Sequence, residues 1–107
     1  MAFSSDYLTK EPTRAEIDAL NAPTVLEFGT GWCGYCQNAQ SLIEAAFADY
    51  PRVSHIKVED GPGRPLGRSF RVKLWPTLVF LKDGKEVARL VRPEGAREIC
   101  DAMKQLA

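Results

Sequence analysis

The chain has 107 residues, the length of one domain. Hydrophobic residues make up 45% and charged residues 26%, enough apolar material to offset the entropy of ordering and so to exclude a disordered chain. Fourteen lysines and arginines balance fourteen aspartates and glutamates, which argues against nucleic-acid binding by phosphate neutralisation and against a polybasic membrane-surface protein. No apolar run approaches the ~20 residues that a membrane span needs. The N-terminal stretch MAFSSDYLTKEP has neither a basic nor an apolar leader region. A cytoplasmic location is therefore the default expectation, although an exported domain without its leader would read the same way. The three cysteines do not form the even, dense set of a disulfide-stapled scaffold.

Residues 1–12 are poorly patterned, with Tyr7 and Leu8 suggesting a short edge strand. Thr13 and Glu16 form the T-x-x-E of a capping box, which predicts a short helix from Arg14 with Ile17 and Leu20 inward and Asn21 and Pro23 as its stop. Thr24 to Phe28 reads as a strand buried on both faces, because its apolar residues are contiguous; Glu27 interrupts them. Gly29-Thr30-Gly31 is a turn. Ala39, Leu42, Ile43, Ala46, Phe47 and Tyr50 recur at helical spacing, which predicts a helix starting near Cys33 and ended by Pro51.

Val53 to Glu59 is a second strand, and a Gly- and Pro-rich loop follows it. Leu66 to Phe70 makes one or two helical turns. Thr77 to Leu81 is another contiguous apolar strand. Asp83-Gly84 marks a hairpin, and Glu86 to Val91 alternates as the returning edge strand. Pro93 and Glu94 suit a first helical turn, and Ala96, Ile99, Met103 and Leu106 line the inner face of a closing helix. The strand–helix–strand unit implies a right-handed crossover and a parallel pair, to which the hairpin adds antiparallel strands. The expected architecture is a single α/β domain over 1–107. It is a three-layer sandwich whose central mixed sheet of four or five strands has helices on both faces.

Trp32-Cys33-Gly34-Tyr35-Cys36 carries the chemistry. Two thiols at this spacing on a helix start can close a small disulfide ring. Unsatisfied N–H groups and the positive end of the helix dipole favour a thiolate on Cys33, which would attack a disulfide. Cys36, one turn further in, would resolve the mixed disulfide. Gly34 keeps the turn uncrowded, and Tyr35 lacks the rigidity of a proline there. The competing reading is half of a zinc site. Structural zinc needs four protein ligands, and only Cys100 and His55 remain to supply them, so redox chemistry is the better reading and no metal is expected.

Over roughly residues 12 to 107 the chain resembles the thioredoxin family. The matching features, in order, are VLEF followed by WCGYC, a strand near Val53–Val58, Trp75-Pro76-Thr77 opening a strand, and the Lys82-Asp83-Gly84 hairpin with its final helix. The resemblance implies a thioredoxin fold and dithiol–disulfide exchange on protein disulfides. It implies no cofactor beyond the Cys33–Cys36 couple, an upstream reductase or oxidase, and a monomer. It also implies a cis Pro76 beside the cysteines, where base rates for X–Pro bonds alone favour trans. The residue before that proline, here a bulky Trp75, would pair with substrate backbone. Trp32, Gly34, Tyr35, Trp75, Pro76 and Arg92 are thereby assigned to the face that meets substrate.

Four features depart from the family pattern. Gly29 stands where an aromatic residue often follows the acid-containing strand, and Ser41 where a proline often kinks the helix. Arg92-Pro93 stands where glycine usually lines the groove, and Tyr35 makes a C-G-Y-C motif closer to bacterial disulfide isomerases. These leave the direction of electron flow open. A reductive oxidoreductase is the leading expectation. A non-catalytic binding module of the same fold and an exported isomerase or oxidase are the alternatives. Retention of both cysteines argues against the first of these.

Glu27 is the remaining catalytic candidate. A carboxylate inside that strand loses hydration, which favours its neutral form and suits it to accept the proton of Cys36 through a water. His55, on the next strand, is a weaker candidate partner for it, near where the family often carries a lysine facing the acid. Cys100 is expected to be a buried structural thiol. Lys73, Arg71 and Arg92 suggest a mildly basic substrate groove.

Overall fold

The computed structural model describes residues 3–106. Helix α1 (Arg14–Asp18) starts at Thr13, whose side chain accepts from the Glu16 amide while the Glu16 carboxylate accepts from the Thr13 amide. Strand β1 (Thr24–Gly29) is buried along its whole length. Helix α2 (Gly34–Ala48) follows, then β2 (Ser54–Glu59) and α3 (Pro65–Ser69). The β3 (Thr77–Lys82) to β4 (Lys85–Val91) hairpin leads into α4 (Ala96–Met103) and a 3₁₀ turn over Lys104–Leu106.

The sheet order is β2-β1-β3-β4, with β1 and β2 parallel and the other pairs antiparallel. Central β1 therefore buries both faces, which explains why apolar residues stand on either side of Glu27 without alternating with polar ones. Val25, Leu78 and Phe80 pack against Ile43, Phe47, Ile99 and Met103 of α2 and α4. Leu26, Phe28, Val79 and Leu81 pack on the other side against Ile17 of α1, Leu66 of α3 and Phe70. The Arg14 guanidinium lies 3.8 Å above the Phe70 ring and bonds the Ser69 carbonyl at 2.7 Å, joining α1 to the end of α3. At the hairpin Gly84 takes φ +76°, and a Cβ there would lie 2.0 Å from the Asp18 carbonyl oxygen, so both conformation and space demand glycine.

Three expectations need correction. Tyr7 and Leu8 form no strand; a single backbone–backbone bond, Leu8 N to Lys57 O at 2.8 Å, links these two residues to β2. Pro93 and Glu94 precede α4 rather than open it, and the helix starts after Gly95. The Glu94 amide instead donates to the Glu98 carboxylate at 2.8 Å. Cys100 is only half-buried. It sits at the rim of α4 with Sγ 4.0 Å from Asp49 Oδ2, because its neighbours Ile99 and Met103 take the inward face.

Candidate functional site

Where β1 ends, the chain turns through Thr30–Trp32 and enters α2. Cys33 is the N-cap of that helix, and its Sγ accepts the Cys36 amide at 3.2 Å. A thiol so placed satisfies one of the orphan amides of the helix start, and a thiolate satisfies it better. Both thiols are free, Cys33 being 7% exposed and Cys36 1%. Burial pushes the Cys36 thiol up to about 12, helped by its contact with Cys33 and the charge of Glu27; a backbone bond at Thr30 opposes the rise.

Behind the dithiol lies a buried polar network. Glu27 has no exposed surface. Its Oε1 lies 2.8 Å from His55 Nε2, and its Oε2 accepts from Gln40 Nε2 at 2.9 Å. Gln40 Nε2 also reaches the Cys36 carbonyl at 2.9 Å, and Gln40 Oε1 accepts from Lys57 Nζ at 2.7 Å. The Ser4 amide donates to His55 Nδ1 at 2.8 Å. An amide can only donate, so Nδ1 is the acceptor and the ring proton resides on Nε2, directed at Glu27. The imidazole stacks on Phe47 at 4.8 Å and faces Phe3 at 5.4 Å. In register Lys57, not His55, stands opposite Glu27, yet its amine turns away to Gln40 and to the Ser5 carbonyl at 3.0 Å.

The opposite side of the dithiol is an exposed aromatic face. Trp32 is 74% exposed and meets Trp75 edge-on, ring centres 5.7 Å apart. The Trp75 indole N–H donates to Asp60 Oδ2 at 2.8 Å, and the Trp75–Pro76 peptide bond is cis. Arg92, at φ +51°, lays its guanidinium 3.7 Å over the Tyr35 ring and donates from Nε to the Trp75 carbonyl at 2.9 Å. Gly34 has open space where a Cβ would be. Trp32, Tyr35, Trp75 and Arg92 are thus joined by contacts to one another, with Gly34 and Pro76 adjoining them in the chain. Lys73 lines a separate cleft with Asp60, Arg64, Arg68 and Trp75, and Arg71 lies outside that lining, so Arg92 alone of the three expected cations borders Tyr35.

The two residues left to a zinc site stand apart in different settings: His55 is engaged by Glu27 and Ser4, and Cys100 lies beside Asp49. Sequence reasoning missed Gln40 and the N-terminal strap of Ser4, Ser5 and Tyr7. The solitary glutamine on the sheet-facing side of α2 was the available signal for Gln40; the strap carries none.

The thioredoxin family model matches residues 5–105. The chain belongs to the thioredoxin family. The thioredoxin of Chlamydia trachomatis is 40% identical over 68 residues, covering 63% of this chain and 66% of that protein. The aligned part thus spans about two thirds of that relative's length. A thioredoxin of Mycolicibacterium smegmatis is 28% identical over 103 residues, 90% of this chain and 92% of its own. Among solved structures, reduced thioredoxin 2 of Pseudomonas aeruginosa PAO1 superposes with a TM-score of 0.86 at 58% identity, covering 97% of this chain and 96% of that one. Thioredoxins are thiol–disulfide oxidoreductases, and Cys33 and Cys36 are the dithiol of this one. Its fold is the mixed four-stranded sheet between helical layers described above. No helix among the described residues is long and apolar enough to cross a membrane.

Proposed function

We propose that this thioredoxin reduces protein disulfides, with Cys33 as nucleophile, Cys36 as resolving thiol and Glu27 as proton acceptor. The observation that carries the reading is the Cys33 sulfur capping α2 beside a more deeply buried Cys36. The Cys33 thiolate attacks one sulfur of the client disulfide, a mixed disulfide forms, and the first client thiolate leaves. Cys36 then loses its proton and attacks Cys33 Sγ, and the second client thiolate leaves. Two electrons have passed from the dithiol to the client, and Cys33–Cys36 is now a disulfide. An upstream reductase returns it to the dithiol, and no further cofactor or metal takes part.

Glu27 suits the second step. It is buried, and Gln40 links it to the backbone of Cys36. A carboxylate in this setting can take the Cys36 proton through a water and release it later. Trp32, Gly34, Tyr35, Trp75, Pro76 and Arg92 form the docking face for the client, which a monomer in the cytoplasm would present freely. The test is insulin reduction with dithiothreitol together with trapping. Cys36→Ser should accumulate mixed disulfides with clients and Cys33→Ser should not. Equal trapping by the two variants would sink the assignment.

A further inference from the structure

Tyr7 sits within the dithiol site although it lies 29 residues away from Cys36 in the chain. Gly29 makes room for it. A Cβ on Gly29 would lie 2.6 Å from Cys36 Sγ and 3.0 Å from Tyr7 Oη, so thiol and hydroxyl share the space that a side chain at 29 would fill. The strap carrying Tyr7 is tied at several points. Leu8 N donates to Lys57 O at 2.8 Å, Lys57 Nζ donates to Ser5 O at 3.0 Å, and the same amine lies 4.6 Å above the Tyr7 ring. Tyr7, Thr30, Cys36, Gln40 and Lys57 line one cleft of about 310 Å³ that opens behind the resolving thiol.

We propose that Tyr7 is a further catalytic residue of this thioredoxin, whose hydroxyl donates a hydrogen bond to the Cys36 thiolate as that thiolate forms during resolution. Burial first, and then the charges of Cys36 and Glu27, raise the phenol above its ordinary range, so it stays protonated and serves as a donor, never as the base. The step balances without it. The Cys36 proton leaves toward Glu27, the sulfur anion attacks Cys33 Sγ, the Cys33–client bond breaks, and Tyr7 neither gains nor loses a proton. The titratable groups that face Cys36 are Cys33 from the helix start, Glu27 from β1 and Tyr7 from the strap, with Lys57 of β2 reaching it through Gln40. The proposal rests on Cys36 being the resolving thiol.

The experiment is Tyr7→Phe, which keeps the ring and its contact with Lys57 and removes only the hydroxyl. Single-turnover kinetics should show attack by Cys33 within about twofold of the parent and resolution slowed by about tenfold, the effect of one hydrogen bond to a charged group. Alkylation of Cys36 in a Cys33→Ser background should slow by a similar factor, a readout that a merely structural strap would not move. Unchanged resolution, equal slowing of both steps, or unchanged Cys36 alkylation would each overturn the role of Tyr7. Failure of the resolving-thiol assignment is seen separately, as absence of trapped mixed disulfide in Cys36→Ser.

Discussion

His55 Nε2 stands 2.8 Å from Glu27 Oε1, and neither side chain has any exposed surface. The Ser4 amide on the other ring nitrogen holds the imidazole as a neutral donor, so the contact is a hydrogen bond to a carboxyl group rather than an ion pair. A buried carboxyl held by His55 and Gln40 has a fixed direction, which is what a proton acceptor for a buried thiol requires.

Glu27→Gln should slow resolution by up to ~10²-fold, the lower end for loss of a general base, and leave attack by Cys33 nearly unchanged. Attack needs only the capped sulfur at the helix start. Single-turnover kinetics that separates the two steps provides the check. If resolution keeps its rate, the base is elsewhere.

His55→Phe should keep the stack on Phe47 but leave the Ser4 amide and Glu27 Oε1 without partners. Each unsatisfied group costs about 1–3 kcal/mol. Urea unfolding should show a loss of at least about 1 kcal/mol. An unaltered midpoint would mean that water replaces the imidazole on both sides.

The reduced protein should lose stability as the pH climbs above about 9. Burial pushes the Cys36 thiol up to about 12 in the folded chain, from an ordinary value of 9.0, so between these values the unfolded chain releases a proton that the folded chain keeps. Release from the unfolded state favours unfolding as pH rises, and the contribution vanishes below the unfolded value. Urea midpoints at pH 7.5 and pH 10 should therefore fall further for the reduced parent than for Cys36→Ser. Parallel curves would remove the effect.

Arg92→Gly should change stability by no more than about 1 kcal/mol. Relief of a left-handed residue, roughly 1 kcal/mol, offsets a surface cation–π contact of similar size. Its effect on clients should be larger. The parent should react faster with acidic than with matched basic disulfide peptides at low salt, and the variant should lose that preference. Equal rates for both peptides with the parent would show that Arg92 does not select by charge.

Elements set by near neighbours in the chain were legible at once. The Thr13–Glu16 capping box, the largely apolar Val25–Phe28 segment, the Cys33–Cys36 spacing and the Asp83-Gly84 turn each act over a few residues, so local spacing and backbone preference determine them. The partner of Glu27 was a different matter. Parallel pairing puts Lys57 opposite Glu27 and His55 opposite Val25, and the period of two turns both toward α2. Which of them reaches the carboxylate is decided by Gln40 and the Ser5 carbonyl drawing the lysine amine aside. Likewise Gly29 reads in sequence as a turn residue and a missing aromatic, and Tyr7 as a short edge-strand residue in a poorly patterned stretch. That one fills the space left by the other follows from the strap lying along β2, a contact between remote segments whose polar residues carry no periodic signal. The dithiol and its scaffold were thus written in local sequence, while the buried groups that surround Glu27 and Cys36 were brought there by tertiary packing.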